Sequence, residues 1–180
     1  MPGIDSSRLF IPVRIAVMTV SDTRTMEDDT SGATLVARLE EAGHLLADRV
    51  IVKDEVASIT AQLARWIANK EIDVVISTGG TGLTGRDVTP EAFHSVYEKE
   101  IDGFSALFHR VSFEKIGVST IQSRATAGVA GGTYLFALPG STGACKTAWN
   151  GILKEQLDSR HRPCNFVEIM PRLDEHQRRK

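Results

Sequence analysis

The chain has 180 residues, of which 42% are hydrophobic and 24% charged, and its formal net charge is −2. This length and composition predict one globular domain with a substantial core, and the balanced charge excludes electrostatically driven nucleic-acid binding. No apolar run is long enough for a membrane span, the start lacks the basic and apolar regions of a signal peptide, and two cysteines make no disulfide framework. We therefore expect a cytoplasmic protein with no nucleic-acid or membrane partner.

The first half of the chain predicts strands that alternate with helices. Apolar runs predict the strands and apolar stripes at helical spacing predict the helices. Thr30 or Ser31 is expected to cap the first helix, and Gly43 to end it. The predicted strands cover 13–20, 50–52 and 72–78, and the predicted helices cover 31–42 and 58–71.

In the second half, Thr89 is predicted as an N-cap and Pro90 as the first residue of a helix that continues to Tyr97. Gly131 and Gly132 predict a tight turn between two short strands. Further helices are predicted over 103–115 and 141–160, and the end of the chain is expected to fray.

This order of elements predicts a three-layer α/β sandwich, with a mostly parallel central sheet and helices on both faces. We expect one domain over residues 12–168. It follows an N-terminal extension, 1–11, and precedes a charged C-terminal tail, 169–180.

One loop stands out because Gly79, Gly80, Gly82 and Gly85 fall within the segment STGGTGLTG, directly after a predicted strand. Glycine lets backbone N–H groups approach an anion closely, and ligands of open α/β sheets bind at the carboxyl ends of the strands. The loop therefore favours anion binding over a purely structural turn. A β-branched residue at Gly82 is expected to block the ligand and to disfavour a positive φ there.

Two other phosphate motifs fit the glycine loop less well. Gly80, Gly82 and Gly85 match the dinucleotide pattern G-x-G-x-x-G, but no helix begins until about Thr89 and the required acidic residue is misplaced. A P-loop needs a Gly-Lys-Ser/Thr sequence, and no lysine occurs between Lys70 and Lys99.

Carboxylates accompany the predicted anion site. Asp87 would repel a phosphate unless a cation intervenes, and Asp54 is expected on the same rim, where a second parallel strand ends. Two carboxylates on one rim suit a hydrated Mg²⁺. On spacing alone, Asp87 could instead cap the helix at Thr89, and Asp22 could either reach the rim or cap the next segment.

A second corner, LPGSTGA over 138–144, also follows a strand and precedes a helix. Ser141 or Thr142 can cap that helix, which leaves N–H groups free for another anion. Two anion sites on one rim would suit a substrate with two phosphorylated parts.

These motifs together carry a resemblance that covers about residues 12–166. The segments TGGTG and RDVTPEA, then SR at 123–124 and PGS at 139–141, resemble the MoaB/MogA family of molybdopterin-binding proteins. The resemblance implies a compact α/β domain that assembles as trimers or dimers of trimers. It also implies binding of molybdopterin, a pterin with a dithiolene and a terminal phosphate.

Related family members use Mg-ATP to adenylylate that phosphate, before a molybdenum-insertion protein takes the product. By resemblance, the two functional aspartates are Asp54 and Asp87, which would also hold Mg²⁺. The implied pterin-binding loop is Gly79, Gly80, Thr81 and Gly82. The rim segment after the first strand contributes Ser21 and Asp22. The second loop is Pro139, Gly140 and Ser141.

One departure keeps a second function open. The PGST segment differs from the PG-x-P of the adenylylating relatives, although both aspartates are present. The alternatives are therefore a nucleotidyltransferase and a molybdopterin carrier or scaffold without turnover. A dinucleotide-dependent oxidoreductase is a third class, which would require NAD(P) binding.

The remaining chemistry-bearing residues are interpreted mainly as structural. The five histidines show no metal-ligand spacing, Cys145 is expected to be buried, and Cys164 is assigned no chemistry. Trp66 and Trp149 are predicted in the core or a subunit interface. Arg124 could bind an anion or form a surface ion pair.

Overall fold

The computed structural model describes residues 2–178, which form one six-stranded and one two-stranded sheet with helices around them. The strands are β1 Gly3–Ile4, β2 Arg14–Val20, β3 Leu45–Val52, β4 Val74–Thr78, β5 Lys99–Glu100, β6 Thr126–Ala130, β7 Thr133–Leu138 and β8 His161–Arg162. The six-stranded sheet has the order β3-β2-β4-β7-β6-β5, and the two-stranded sheet pairs β1 with β8. The α-helices are α1 Thr30–Glu41, α2 Val56–Ala68, α3 Thr89–His94, α4 Asp102–Ile116, α5 Thr142–Ala148, α6 Lys154–Gln156, α7 Phe166–Ile169 and α8 Glu175–Arg178. Two 3₁₀ segments, Gly117–Gln122 and Met170–Arg172, and one π segment, Trp149–Leu153, complete the structure.

The large sheet is covered on both faces, which confirms the predicted three-layer sandwich. Successive side chains of a strand point to opposite faces. Accordingly, Ile15 and Val17 of β2 pack in one core with helices α1, α4 and α5, whereas Ala16 and Met18 pack in the other core with α2 and α3.

Strand direction brings the predicted site segments to one edge of the sheet. Strands β2, β3, β4 and β7 are parallel, so the loops after them leave the same edge. Strand β6 is antiparallel to β7, so the residues just before β6 also lie at this edge. Strand β5 is in turn antiparallel to β6, which leaves β6 as the reversed strand of the sheet.

Several predicted element ends are corrected. Asp29, not Thr30 or Ser31, caps α1, because its side chain accepts a hydrogen bond from the Gly32 N–H. The N-cap of α3 is Val88 rather than Thr89, and the helix ends at His94 instead of Tyr97.

Other boundaries differ in length. Pairing with β2 extends β3 to eight residues, and α2 begins and ends earlier than predicted. The predicted helix over 141–160 ends at Gln156 and contains the π segment. The turn at Gly131 and Gly132 is confirmed, since both residues have a positive φ.

The terminal segments contact the domain. Gly3 and Ile4 pair with β8, and the Ile11 N–H donates to the Ser159 hydroxyl. The tail was expected to fray, but residues 175–178 form a short helix from which Gln177 donates to Glu98. Residues 1, 179 and 180 lie outside the described residues. Over residues 2–178, no helix has the length and apolar character that a bilayer crossing requires.

Candidate functional site

The two glycine-containing corners meet at the carboxyl edge of the sheet. The Gly79 N–H donates to the Leu138 carbonyl at 3.0 Å, and the Thr78 hydroxyl donates to the Pro139 carbonyl at 3.0 Å. A Cβ atom added to Gly140 would lie 3.2 Å from the Gly79 Cα. The corners predicted separately from the sequence are therefore one continuous surface.

Backbone conformation requires glycine at the start of the first corner. Gly79 and Gly80 have φ angles of +105° and +64°, and a Cβ on Gly79 would lie 2.2 Å from the Val20 carbonyl oxygen. Gly82 has no positive φ, so that part of the expectation was wrong. Its constraint is steric, because a Cβ there would lie 2.7 Å from Asp87 Oδ2.

The corner also offers free hydrogen-bond donors. Across residues 2–178, the N–H groups of Gly80 and Thr81 donate to no protein acceptor. Ser141 is the N-cap of α5, and its hydroxyl accepts from the Ala144 N–H at 3.1 Å. The prediction that Ser141 or Thr142 caps this helix is therefore confirmed for Ser141. These donors suit an anion at the contact between the two corners.

Asp87 does not cap α3. Its Oδ2 accepts from the Thr84 N–H at 2.8 Å and from the Thr84 hydroxyl at 2.6 Å. Burial alone would raise the pKa of Asp87, but these bonds, the Gly82 N–H and the charge of Arg124 leave that pKa below its ordinary value. Asp87 therefore stays ionised beside the glycine loop.

Asp54 has the opposite electrostatic character. Its Oδ1 lies 3.4 Å from the Val88 N–H at the start of α3, and a Cβ on Gly80 would lie 2.8 Å from the same oxygen. Burial, together with the charges of Asp87 and Asp22, raises the pKa of Asp54. A cation at this position would relieve the repulsion among the carboxylates.

Both carboxylate oxygens of Asp22 accept hydrogen bonds from other protein groups. Arg86 donates to both of its oxygens, with distances of 2.8–3.0 Å, and the Asp54 N–H donates to Oδ1 at 3.2 Å. The hydroxyl of Ser21 accepts from the N–H groups of Thr23 and Arg24. Both residues lie on the rim, where their present contacts order the loop after β2.

A cleft of about 390 Å³ adjoins both corners. One wall comes from the glycine loop, Asp87 and the 139–141 corner. The opposite wall was missed by sequence reasoning, although its segment GVSTIQS is rich in small polar residues. This wall consists of Phe108, Ser112, Ile116, Ser119, Thr120, Gln122 and Ser123. The Thr120 hydroxyl is buried and has no partner among the described residues, so a ligand could satisfy it.

Arg124 forms an ion pair, as one of its two predicted roles required, and it also contacts the loop backbone. Its side chain donates to the carbonyls of Gly82 at 2.8 Å and Asp87 at 2.7 Å, and it also pairs with Glu91. Its own N–H donates to the Thr81 carbonyl at 3.0 Å. The guanidinium is thus directed at the loop backbone as well as at an ion-pair partner.

The residues present fit a magnesium ion that is completed by the substrate. Asp54 and Asp87 both lie against the glycine loop, where the N–H donors would hold phosphate. Mg²⁺ is commonly held by one or two carboxylates together with waters and substrate phosphates. Within residues 2–178, no cluster of three or more His, Cys, Asp or Glu side chains could hold a metal alone.

The burial expected for Cys145 and for the two tryptophans is confirmed. Cys145 is buried and burial raises the pKa of its thiol to about 11, while Cys164 is exposed. Trp66 and Trp149 are buried in opposite cores. His44 is a core histidine, and burial lowers its pKa to about 4.

Comparison with known proteins identifies the family. Residues 16–159 match the family described as "Probable molybdopterin binding domain". The chain belongs to this molybdopterin-binding family. The resemblance expected from the TGGTG, RDVTPEA and PGS segments is therefore confirmed.

Individual relatives cover most of the chain. Molybdenum cofactor biosynthesis protein B of Escherichia coli K12 is 54% identical over 157 residues, which are 87% of this chain and 92% of the relative. A crystal structure of a molybdenum cofactor biosynthesis protein B has a TM-score of 0.84 at 38% identity, and covers 93% of this chain and 99% of its own. The tungsten cofactor synthesizing protein MoaB of Pyrococcus furiosus has a TM-score of 0.72 at 34% identity, with coverages of 80% and 92%.

Proposed function

We propose that this chain acts in molybdenum cofactor biosynthesis, where it binds molybdopterin and transfers AMP from Mg-ATP to the terminal phosphate of the pterin. The observation that carries the proposal is the meeting of two glycine corners, with free N–H donors, beside Asp54 and Asp87. The names and coverage of the relatives support the biosynthetic role.

Each part of the site has a role in this reaction. The N–H groups of Gly80 and Thr81 would hold phosphate oxygens, and the hydroxyls of the cleft wall would face the pterin. Asp54 and Asp87 would hold Mg²⁺, which supplies charge neutralisation when it is bound.

In the transfer itself, an oxygen of the pterin phosphate forms a bond to the α-phosphorus of ATP. The bond between the α- and β-phosphates breaks, and pyrophosphate leaves. The protein contributes position and electrostatic stabilisation, so no enzyme nucleophile is required.

The wider setting is part of the same proposal. We infer a cytoplasmic protein that functions as a trimer or a dimer of trimers and supplies adenylylated molybdopterin to a molybdenum-insertion protein. The two corners suit two substrates that each carry phosphate, as molybdopterin and ATP do. Each corner lies beside the start of a helix, and both lie on the same edge of the sheet.

The test is Asp87→Asn, which keeps the size of the side chain and an oxygen that can accept from Thr84. We expect AMP transfer to fall by about 10²-fold or more, as when an electrostatic group is lost from an active site. Molybdopterin binding should persist or tighten, because a charge that repels phosphate is removed. AMP transfer, molybdopterin titration and thermal melting are measured on one preparation.

The matched control is Asp102→Asn, which removes an exposed carboxylate from the first turn of α4. It should leave AMP transfer unchanged. A variant at Asp87 that transfers AMP at the wild-type rate would refute the metal-site role. A wild type that binds molybdopterin without transfer would instead support the carrier function, which the departure at PGST favours.

A further inference from the structure

Arg124 reaches the candidate site through the topology of the sheet. It lies two residues before β6, and the antiparallel pairing of β6 with β7 places this point at the carboxyl edge. The Arg124 N–H donates to the Thr81 carbonyl at 3.0 Å, which joins the strand entry to the glycine loop. The neighbouring Ser123 carbonyl lies 3.1 Å from His109 Nε2 of α4.

The guanidinium of Arg124 contacts three separate points around the site. Nε donates to the Gly82 carbonyl at 2.8 Å, and Nη2 donates to the Asp87 carbonyl at 2.7 Å. Nη1 pairs with Glu91 on α3. One side chain therefore connects both ends of the segment 82–87 to the helix after that segment.

These bonds determine where the Asp87 carboxylate lies. Its backbone carbonyl is held by Arg124, and its Oδ2 is held by the N–H and hydroxyl of Thr84 within the same segment. Gly82 has no side chain to resist rotation, and its Cα is close enough to Asp87 that any Cβ would collide with Oδ2. A change in the 82–87 backbone would therefore move the carboxylate.

We propose that Arg124 is a positioning residue, whose guanidinium sets the conformation of residues 82–87 and thereby fixes the Asp87 carboxylate where it would hold Mg²⁺. The catalytic part of this statement rests on the proposed function, whereas the conformational part does not. Arg124 acts through Asp87 and Gly82, because three of its five N–H donors are directed at protein acceptors, two of them the backbone carbonyls of these residues.

The geometry assigns this role to the planar fork of arginine and not to its charge alone. Lysine has the same charge but presents it as a point, so it cannot reproduce two separately directed contacts to the carbonyls of two different residues. The side chain of Glu91 is 52% exposed, and an ion pair with such a partner contributes little by itself. The two carbonyl contacts are therefore the decisive ones.

Four variants separate these contributions. Arg124→Lys keeps the charge and removes the fork, and Arg124→Gln removes both. Glu91→Gln removes the ion-pair partner and leaves the two carbonyl contacts. Arg172→Lys is the matched control, since Arg172 forms an exposed pair with Glu175 on the C-terminal segment.

The first measurement is amide hydrogen exchange at Thr84 and Asp87, together with the melting temperature. We expect several-fold faster exchange at both amides in Arg124→Lys and Arg124→Gln, with exchange in the central strands unchanged. Glu91→Gln and Arg172→Lys should resemble the wild type. Unchanged exchange in Arg124→Lys, or faster exchange throughout the chain, would overturn the proposal.

The second measurement is AMP transfer with a molybdopterin titration. Both Arg124 variants should lose about 10²-fold in kcat, as a small misplacement of a catalytic group can cause, while the KM for molybdopterin changes little. Full rescue by Arg124→Lys would overturn the proposal, because charge alone would then suffice. An inactive wild type would refute adenylyl transfer, and the exchange experiment would still decide the conformational role of Arg124.

Discussion

Two carboxylates at one site have pKa values that shift in opposite directions. Thr84 supplies two hydrogen bonds that favour the ionised form of Asp87. Asp54 receives one long contact from Val88, and burial and the neighbouring negative charges disfavour its ionised form. A bound cation would therefore stabilise the ionised form of Asp54 more than that of Asp87, because hydrogen bonds already stabilise the Asp87 carboxylate.

This difference predicts the effect of pH on stability. The raised pKa of Asp54 means that its favourable contribution to folding is present below its ordinary pKa and is lost as the pH rises through the folded value. At pH 7, Asp54→Asn should therefore raise the melting temperature in the absence of Mg²⁺, by about 1–2 °C. The gain should disappear at pH values well below the ordinary Asp pKa of about 3.9, where the carboxyl is protonated in both states.

Asp87→Asn should change the melting temperature in the opposite direction. Because the folded pKa of Asp87 is lowered, its contribution is present above the ordinary pKa and is lost as the pH falls through the folded value. This variant should melt slightly below the wild type at pH 7. Equal melting of the two variants at pH 7 would contradict the opposed environments of the two carboxylates.

At the scale of the element, the glycine loop is built by three kinds of constraint. Gly79 and Gly80 supply the positive φ angles, Gly82 leaves room for the Asp87 carboxylate, and the Thr89 hydroxyl donates to the Gly79 carbonyl at 2.9 Å. The Thr89 N–H also donates to the Gly80 carbonyl at 3.0 Å. The first residue of α3 is thus bonded into the loop, and the loop and the helix start form one structural unit.

Gly82→Val tests the steric constraint. A side chain at residue 82 would displace the Asp87 carboxylate, so we expect loss of AMP transfer and weaker molybdopterin binding with a near-native fold. Gly103→Val is the matched control, because a Cβ at Gly103 meets no atom within 4 Å. Titration and activity assays on both variants would show whether the loop is only structural, in which case Gly82→Val would bind as the wild type does.

At the scale of the whole molecule, one surface beside the cleft is strongly apolar. Four large side chains, all at least 55% exposed, occur along the end of α4 and the 3₁₀ segment that follows it: Phe113, Ile116, Val118 and Ile121. Exposed apolar clusters are typical of contact surfaces between proteins. We propose that copies of the chain meet at this surface in the expected assembly.

We expect light scattering at micromolar concentration to give three or six times the 19.6 kDa mass of the chain. Ile121→Asp should lower that mass, because it places a charge in the apolar surface. Leu9→Asp is the control, since Leu9 is 86% exposed and belongs to the N-terminal segment, not to α4 or the 3₁₀ segment after it. A wild type with the mass of one chain would contradict the expected assembly.

Much of the fold follows from local patterns in the sequence. The alternation of apolar strands and amphipathic helices, the glycine turn at 131–132 and a cap at Ser141 or Thr142 are each specified within a few residues. The structure confirms them, with Ser141 as the cap. Caps were predicted less well. Asp29 was missed because the competing candidates Thr30 and Ser31 follow it directly, and the choice depends on which side chain meets the Gly32 N–H.

The sequence by itself determined the two glycine corners and the candidate aspartates, because strand ends, glycines and carboxylates are visible as local signals. Only the tertiary structure decided that the two corners touch and that residues 108–123 form the opposite wall of the cleft. It also decided that Arg86 donates hydrogen bonds to the Asp22 carboxylate. The contacts of Arg124 belong to the same class. Its contacts span about 40 residues and depend on the reversed strand β6, and such long-range pairing leaves no periodic signal in the chain around it.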